Sequence, residues 1–98
     1  MKKGYWVVAY RSISDEQALQ EYGKLAMPAI AAYGGKALVR ASNVAEAHEA
    51  GVKQRTVVVE FESLDQALAA YRSEAYRKAL QALGAAADRD FRIVEGLG

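Results

Sequence analysis

Glu60 is the residue whose position most asks for a chemical reason. It lies in Arg55-Thr56-Val57-Val58-Val59-Glu60-Phe61, the densest β-branched run of the chain, where a carboxylate is costly unless it is paired or hydrogen-bonded. Read as a strand, this run turns Val57, Val59 and Phe61 to one face and Thr56, Val58 and Glu60 to the other, because side chains alternate. The same alternation in the flanking segments places Arg40 and Arg92, with Leu38, Val58 and Val94, on the Glu60 face, and Tyr10 can join them. The expected site is therefore Tyr10, Arg40, Glu60 and Arg92. Glu60 would be a catalytic base, or the arginines would hold an anionic ligand. The competing account is an ion-paired interface between two copies of the chain, with the charges fixing the register. Structural ion pairs also produce such constellations, which favours the interface. On either account Arg40 or Arg92 is predicted within ion-pair reach of Glu60, in the same chain or across a dimer.

The remaining chemically suggestive residues have simpler readings. His48 between Glu46 and Glu49 resembles a metal or acid-base cluster, but a site needs converging partners that adjacency in one polar loop does not supply. Ser14, Ser63 and Ser73 each precede a helical pattern and read as caps, since none sits in a Gly-x-Ser-x-Gly elbow. Gly34-Gly35-Lys36 follows a helix and precedes a strand, the reverse of a phosphate-binding loop. No metal site and no cofactor is read.

The elements that must position these residues follow from periodicity. Gly4 to Arg11 is aromatic and β-branched and forms strand one, with Tyr5, Val7 and Ala9 on one face and Trp6, Val8 and Tyr10 on the other. Ser14-Asp15-Glu16-Gln17 starts a helix as a capping box with Ser14 as the cap. Its buried stripe is Ala18, Leu19, Tyr22, Leu25, Ala26, Ala29, Ile30 and Tyr33, and Pro28 predicts a kink or restart near Met27. Gly34-Gly35 ends it. Strand two is 36–42, and 43–54 is a polar connection in which Asn43 and Glu46 could cap one short turn. Ser63 opens a second helix with Ala67, Leu68 and Tyr71 inward. Ser73 begins a stripe of Tyr76, Ala79, Leu80 and Leu83, so this region is one bent helix or two in tandem. Phe91 to Glu95 is strand four, after a short Ala85-Ala86-Ala87 connection.

The order strand, helix, strand, strand, helix, strand is the α+β, ferredoxin-like βαββαβ unit, a four-stranded antiparallel sheet of order 4-1-3-2 with helices on one face. A chain of 98 residues is read as a single domain, 1–98, burying roughly two thirds of its unfolded surface. Thirteen Lys and Arg against 12 Asp and Glu give a net charge of +1 without charged blocks, which argues against a polyanion as partner. Lys3-Gly4-Tyr5-Trp6-Val7-Val8-Ala9-Tyr10 partly matches the aromatic motif of RNA-recognition modules, but on the first strand instead of the third, so no nucleic-acid partner is expected. The absence of cysteine excludes disulfides and thiolate chemistry. No apolar run approaches the ~20 residues that span a bilayer, and strand one leaves no room for a signal peptide, so a cytoplasmic protein is expected without membrane contact.

The chain resembles the family filed as domain of unknown function 1330. The resemblance rests on Gly4-Tyr5-Trp6, Tyr33-Gly34-Gly35 with Leu38-Val39-Arg40, Val57 to Phe61, Tyr71-Arg72-Ser73-Glu74-Ala75-Tyr76 and Val94-Glu95-Gly96. It implies a dimeric α+β barrel, in which two ferredoxin-like protomers pack their open sheet faces together, and it implies no activity. Two positions depart from the family pattern: Ala70, where an aromatic is usual, and Leu83, where an arginine is usual. A family site lined by either is altered here. The expected function is thus a homodimer that takes a small organic ligand. The wider superfamily supplies the alternative, a cofactor-independent monooxygenase or isomerase of a small cyclic compound.

Overall fold

The computed structural model describes residues 2–98. In chain order the elements are β1 (Gly4–Ile13), α1 (Glu16–Ala32), β2 (Lys36–Ala41), β3 (Thr56–Phe61), α2 (Leu64–Arg72), α3 (Glu74–Leu83) and β4 (Ala87–Glu95). The strands form one antiparallel sheet of order β2-β3-β1-β4, the ferredoxin-like order expected. The helices pack on one face, making a slab 16 Å through its thin dimension.

Large side chains come from the strands and small ones mostly from the helices. Trp6, Val8 and Tyr10 of β1 and Val59 and Phe61 of β3 are buried on the helix side, opposite Ala26, Ala29, Ala67, Ala70 and Ala79. Trp6 is the centre. The rings of Tyr76, Phe61 and Phe91 surround it at centroid distances of 4.9, 5.1 and 5.1 Å, tilted as aromatic quadrupoles prefer. Its indole N–H donates to the Ala67 carbonyl at 2.9 Å, so burial of the ring leaves no orphan donor.

Helix termini follow the chemistry of their caps. At α1 the cap is Asp15, not Ser14: one carboxylate oxygen accepts from the amides of Gln17 and Ala18, both at 3.1 Å, and the negative charge suits the positive helix end. Ser14 instead ties the strand end to the start of β4, its amide and hydroxyl both donating to the Ala86 carbonyl at 2.7 and 3.2 Å. Contrary to expectation, α1 runs through Pro28 without a restart. Pro28 is exposed, as is Lys24 one turn earlier, so the carbonyl that loses its intrahelical donor there can turn to water. Leu25 is exposed as well, at 43 %, and drops out of the predicted stripe. The helix ends as expected, with Gly34 at φ +77° and the Gly35 amide donating back to Ile30. Ser63 and Ser73 are caps, accepting from the amides of Gln66 and Tyr76 at 3.1 Å each. The second helical region is two helices in tandem, and no helical turn forms at Asn43 to Glu46.

Two departures in the sheet bear on function. β4 begins at Ala87 instead of Phe91, because Asp88, Arg89 and Asp90 pair with Ser12, Tyr10 and Ala9 of β1; backbone pairing overrides their polarity. In β2 the register shifts at Leu38: Ala37 lies opposite Val59, but Val39 lies opposite Val58 and Arg40 opposite Val57. One extra residue reverses the alternation beyond it.

Removing a cap acceptor exposes an unpaired amide, so Asp15→Ala and Ser63→Ala should each lose about 1 kcal/mol in denaturant titration. An unchanged midpoint in either variant would mean that the helix is held at that end by something else.

Candidate functional site

The four residues expected to share a face are divided between the two faces. Tyr10 has the same parity as Trp6 and Val8 and is 3 % exposed beneath the helices, so it does not join Glu60. The shift at Leu38 carries Arg40 to the helix side, opposite Val57. Glu60 and Arg92 are on the open face, opposite Tyr5 and Val7 respectively. Within the chain Glu60 has no arginine partner among the described residues. Its carboxylate accepts from the Tyr5 hydroxyl at 2.9 Å and it lies opposite Lys36. That hydrogen bond holds the Tyr5 phenol above its ordinary value, because the carboxylate accepts only from the protonated form. Arg92 forms a two-point pair with Asp90 at 3.0 and 3.2 Å. His48 meets Glu46 alone at 3.0 Å, both exposed, and no third group converges on them.

The helix face carries what the alternation missed. A cavity of about 80 Å³ lies between α1 and the sheet, and all four strands contribute to its wall. Its apolar wall includes Trp6, Val8, Leu19, Ile30, Val57 and Phe91, and its polar groups are Tyr10, Tyr22, Arg40, Arg55 and Arg89. The sheet register explains the grouping. Tyr10 is flanked by Arg55 on the β3 side, where its amide donates to the Arg55 carbonyl at 3.0 Å, and by Arg89 on the β4 side. The Arg55 and Arg89 guanidinium carbons lie 5.9 and 5.5 Å from the Tyr10 ring centroid. Arg89 also covers Tyr22 at 4.9 Å and Phe91 at 5.2 Å, within cation-π range.

Among the described residues these three guanidiniums have no carboxylate partner; the ion pairs of the chain engage Lys3, Arg11, Lys24, His48 and Arg92 instead. No acidic side chain and no histidine lines the cavity. Arg89 donates to the Tyr22 hydroxyl at 3.1 Å, and Arg40 to the Met27 sulfur at 3.3 Å, a weak acceptor. The Arg55 Nε–H is buried and has no acceptor among the described residues.

Tyr22 and Tyr76 share a hydrogen bond of 2.6 Å in which either can donate. Burial pushes the Tyr22 phenol up, against the opposing pull of Arg89 and of the bond to Tyr76. The same burial, reinforced by Tyr22 and opposed by Arg89, holds the Tyr76 phenol far above the ordinary phenol range. Both are neutral hydroxyls at physiological pH. If Tyr76, which does not reach the cavity, donates to Tyr22, the Tyr22 proton is free for a ligand.

Gly23 was not singled out by periodicity. It sits in mid-helix at the cavity wall, and a Cβ built there meets nothing within 4 Å. Glycine in a helix interior costs about 1 kcal/mol relative to alanine, and packing gives no reason for it. Ala70 and Leu83 are buried core residues outside the cavity.

Fold and cavity together define a ferredoxin-like α+β protein with an arginine-rich apolar pocket under its first helix. The chain belongs to the family described as Domain of unknown function (DUF1330), which matches residues 3–97. No curated protein matches it. Among solved structures it is similar to a protein of unknown function from Rhodopseudomonas palustris, with a TM-score of 0.75 and 16 % identity over 99 % of this chain and 84 % of that one. It is also similar to a putative antibiotic biosynthesis monooxygenase from Caulobacter crescentus, with a TM-score of 0.61 and 15 % identity over 99 % and 92 %. A putative antibiotic biosynthesis monooxygenase from Nitrosomonas europaea gives 0.54 and 16 % over 98 % and 99 %. At these identities the likeness is one of fold.

Because the folded values of Tyr22 and Tyr76 are raised, their stabilising contribution is whole below the unfolded value of 10.0 and is lost as the pH rises above it. In an alkaline titration followed by phenolate absorbance, these two should ionise only as circular dichroism reports unfolding. In the Tyr22→Phe, Tyr76→Phe double variant that late step should vanish. Ionisation of both in a still-folded chain would contradict the described burial.

Proposed function

We propose that the protein is a homodimer whose protomers pack their open sheet faces together, each binding a small organic ligand in the cavity under α1 without a protein-bound cofactor. The cavity carries this reading. It combines aromatic and aliphatic walls with a few polar groups whose hydrogen-bonding capacity the chain leaves unfilled, the usual composition of a ligand site.

Dimerisation is supported by the open face. Val7, Val39 and Val58 lie side by side across the strands, with Val94 one row away, and Val39 and Val94 are 41 % and 43 % exposed. The chain's own helices are all spent on the other side. Lys36, Glu60, Asp90 and Arg92 frame this patch, a self-complementary mixture suited to a two-fold contact. Glu60 is assigned to that frame as an interface residue, since it cannot act as base in a cavity on the opposite face. Among the described residues no helix is long and apolar enough to cross a membrane, and we place the dimer in the cytoplasm.

The second reading, a cofactor-independent monooxygenase or isomerase of a small cyclic compound, is favoured by the Tyr22 hydroxyl polarised by Arg89 at the cavity wall. The names of the two similar monooxygenase structures add only analogy. The cavity has no carboxylate or imidazole for proton abstraction, so binding is the better-supported role.

Two measurements test the proposal. Light scattering at micromolar concentration should give a dimer, and Val58→Asp should dissociate or unfold it, because an unpaired carboxylate buried at the interface costs on the order of several kcal/mol; a monomeric parent protein would refute the dimer. Gly23→Leu should raise stability by up to about 1 kcal/mol while abolishing the thermal shifts that small aromatic compounds produce in the parent. Undiminished shifts would place the ligand elsewhere.

A further inference from the structure

We infer that the ligand of this cavity is a small aromatic carboxylate, its charge held by Arg55 and Arg89 and its ring lying against the aromatic wall. The inference rests on the ligand-binding reading above and gives that ligand its chemical class.

Three observations carry it. First, the cavity collects positive charge without compensation: Arg40, Arg55 and Arg89 line it, and among the described residues no carboxylate pairs with any of them. Guanidinium groups withdrawn from water are normally paired; Arg40 is exposed at the rim, but the partly buried Arg55 and Arg89 are left for a partner from outside the chain. Second, the Arg55 Nε–H is buried and has no acceptor, although nearly all such groups in folded proteins have one. Third, the two innermost arginines are already oriented. Arg89 is held by the Tyr22 oxygen and the faces of Tyr10, Tyr22 and Phe91, and Arg55 by the face of Tyr10.

A planar carboxylate matches the planar donor fork of arginine. It can accept from the terminal Arg55 nitrogens and from the Arg89 donors that Tyr22 does not use, while the Tyr22 hydroxyl offers a further proton. The rest of the wall is hydrocarbon, which disfavours a fully hydrated inorganic anion and favours an aromatic body. Arg40, exposed and held only by the Met27 sulfur, stands at the rim, where it can draw an anion inward and close over it.

The test compares benzoate, its neutral isostere benzamide, and inorganic phosphate by calorimetry on the full-length protein. Benzoate should bind at least roughly tenfold more tightly than benzamide and should weaken with added salt, whereas phosphate should not compete with it. Arg55→Met and Arg89→Met should erase the preference for benzoate over benzamide, while Arg77→Met on α3 should leave that preference unchanged. If the arginine variants do not fold, the benzoate-to-benzamide ratio and the salt dependence of the unmodified protein decide the matter. Equal binding of benzoate and benzamide would overturn the carboxylate and leave the cavity as a site for neutral compounds. Phosphate binding as tightly as benzoate would overturn the aromatic assignment. No binding of either aromatic probe at millimolar concentration would overturn both this inference and the ligand-binding reading.

Discussion

The fold depends on a complementarity of size between its two layers. β1 and β3 present Trp6, Tyr10, Val59 and Phe61, and the helices answer largely with alanine. Small residues let helices approach a sheet closely, so the indole of Trp6 is enclosed by three other rings and an Ala67 carbonyl instead of by water. The arrangement has a limit. Where α1 offers Gly23 and Ala26 against the ends of β1, β3 and β4, the sheet supplies Tyr10, Arg55 and Arg89, and their charged heads cannot fill the gap as hydrocarbon would. The cavity forms where the large-to-small match runs out.

That location also decides its electrostatics. Three arginines converge without acids because Tyr10 sits between β3 and β4 neighbours of the same parity, and because the shift at Leu38 turns Arg40 toward them. The acids that could have compensated them are on the other face: Glu60 bonded to Tyr5, and Asp90 bonded to Arg92. A net charge of only +1 argues against a general polyanion as partner. The chain's positive potential is local and lies in a low-dielectric recess, the setting in which the proposed small anion would be held.

Much of the architecture was legible in the sequence. The β-branched run at Val57 to Val59, the capping serines at 63 and 73, and the Gly34-Gly35 stop each reflect local physics that the folded chain obeys, and together they yield the strand order. The site was less legible, because it depends on register. A one-residue shift at Leu38 cannot be read from alternation and moves Arg40 across the sheet. Tyr10 shares the parity of Trp6 and Val8, so alternation by itself puts it on the helix face, away from Glu60. Arg55 shares the parity of Val57 and Val59 and could have been assigned to the helix face from the same rule. Arg89 is hidden from sequence patterning because the polar beginning of β4 is strand only through pairing with β1.

The central claim is that the functional chemistry lies on the helix face, at Arg55 and Arg89, and not on the open face. Nitrogen-15 NMR of the arginine Nε–H groups tests it most directly, because each signal reports on its own guanidinium and the buried Arg55 Nε–H has no acceptor among the described residues. Titration with benzoate should move the Arg55 and Arg89 signals and slow the exchange of the Arg55 proton with solvent, while Arg92 stays in place with Asp90. Movement of Arg92 with Arg55 and Arg89 unchanged would contradict the account and return the site to the open sheet face.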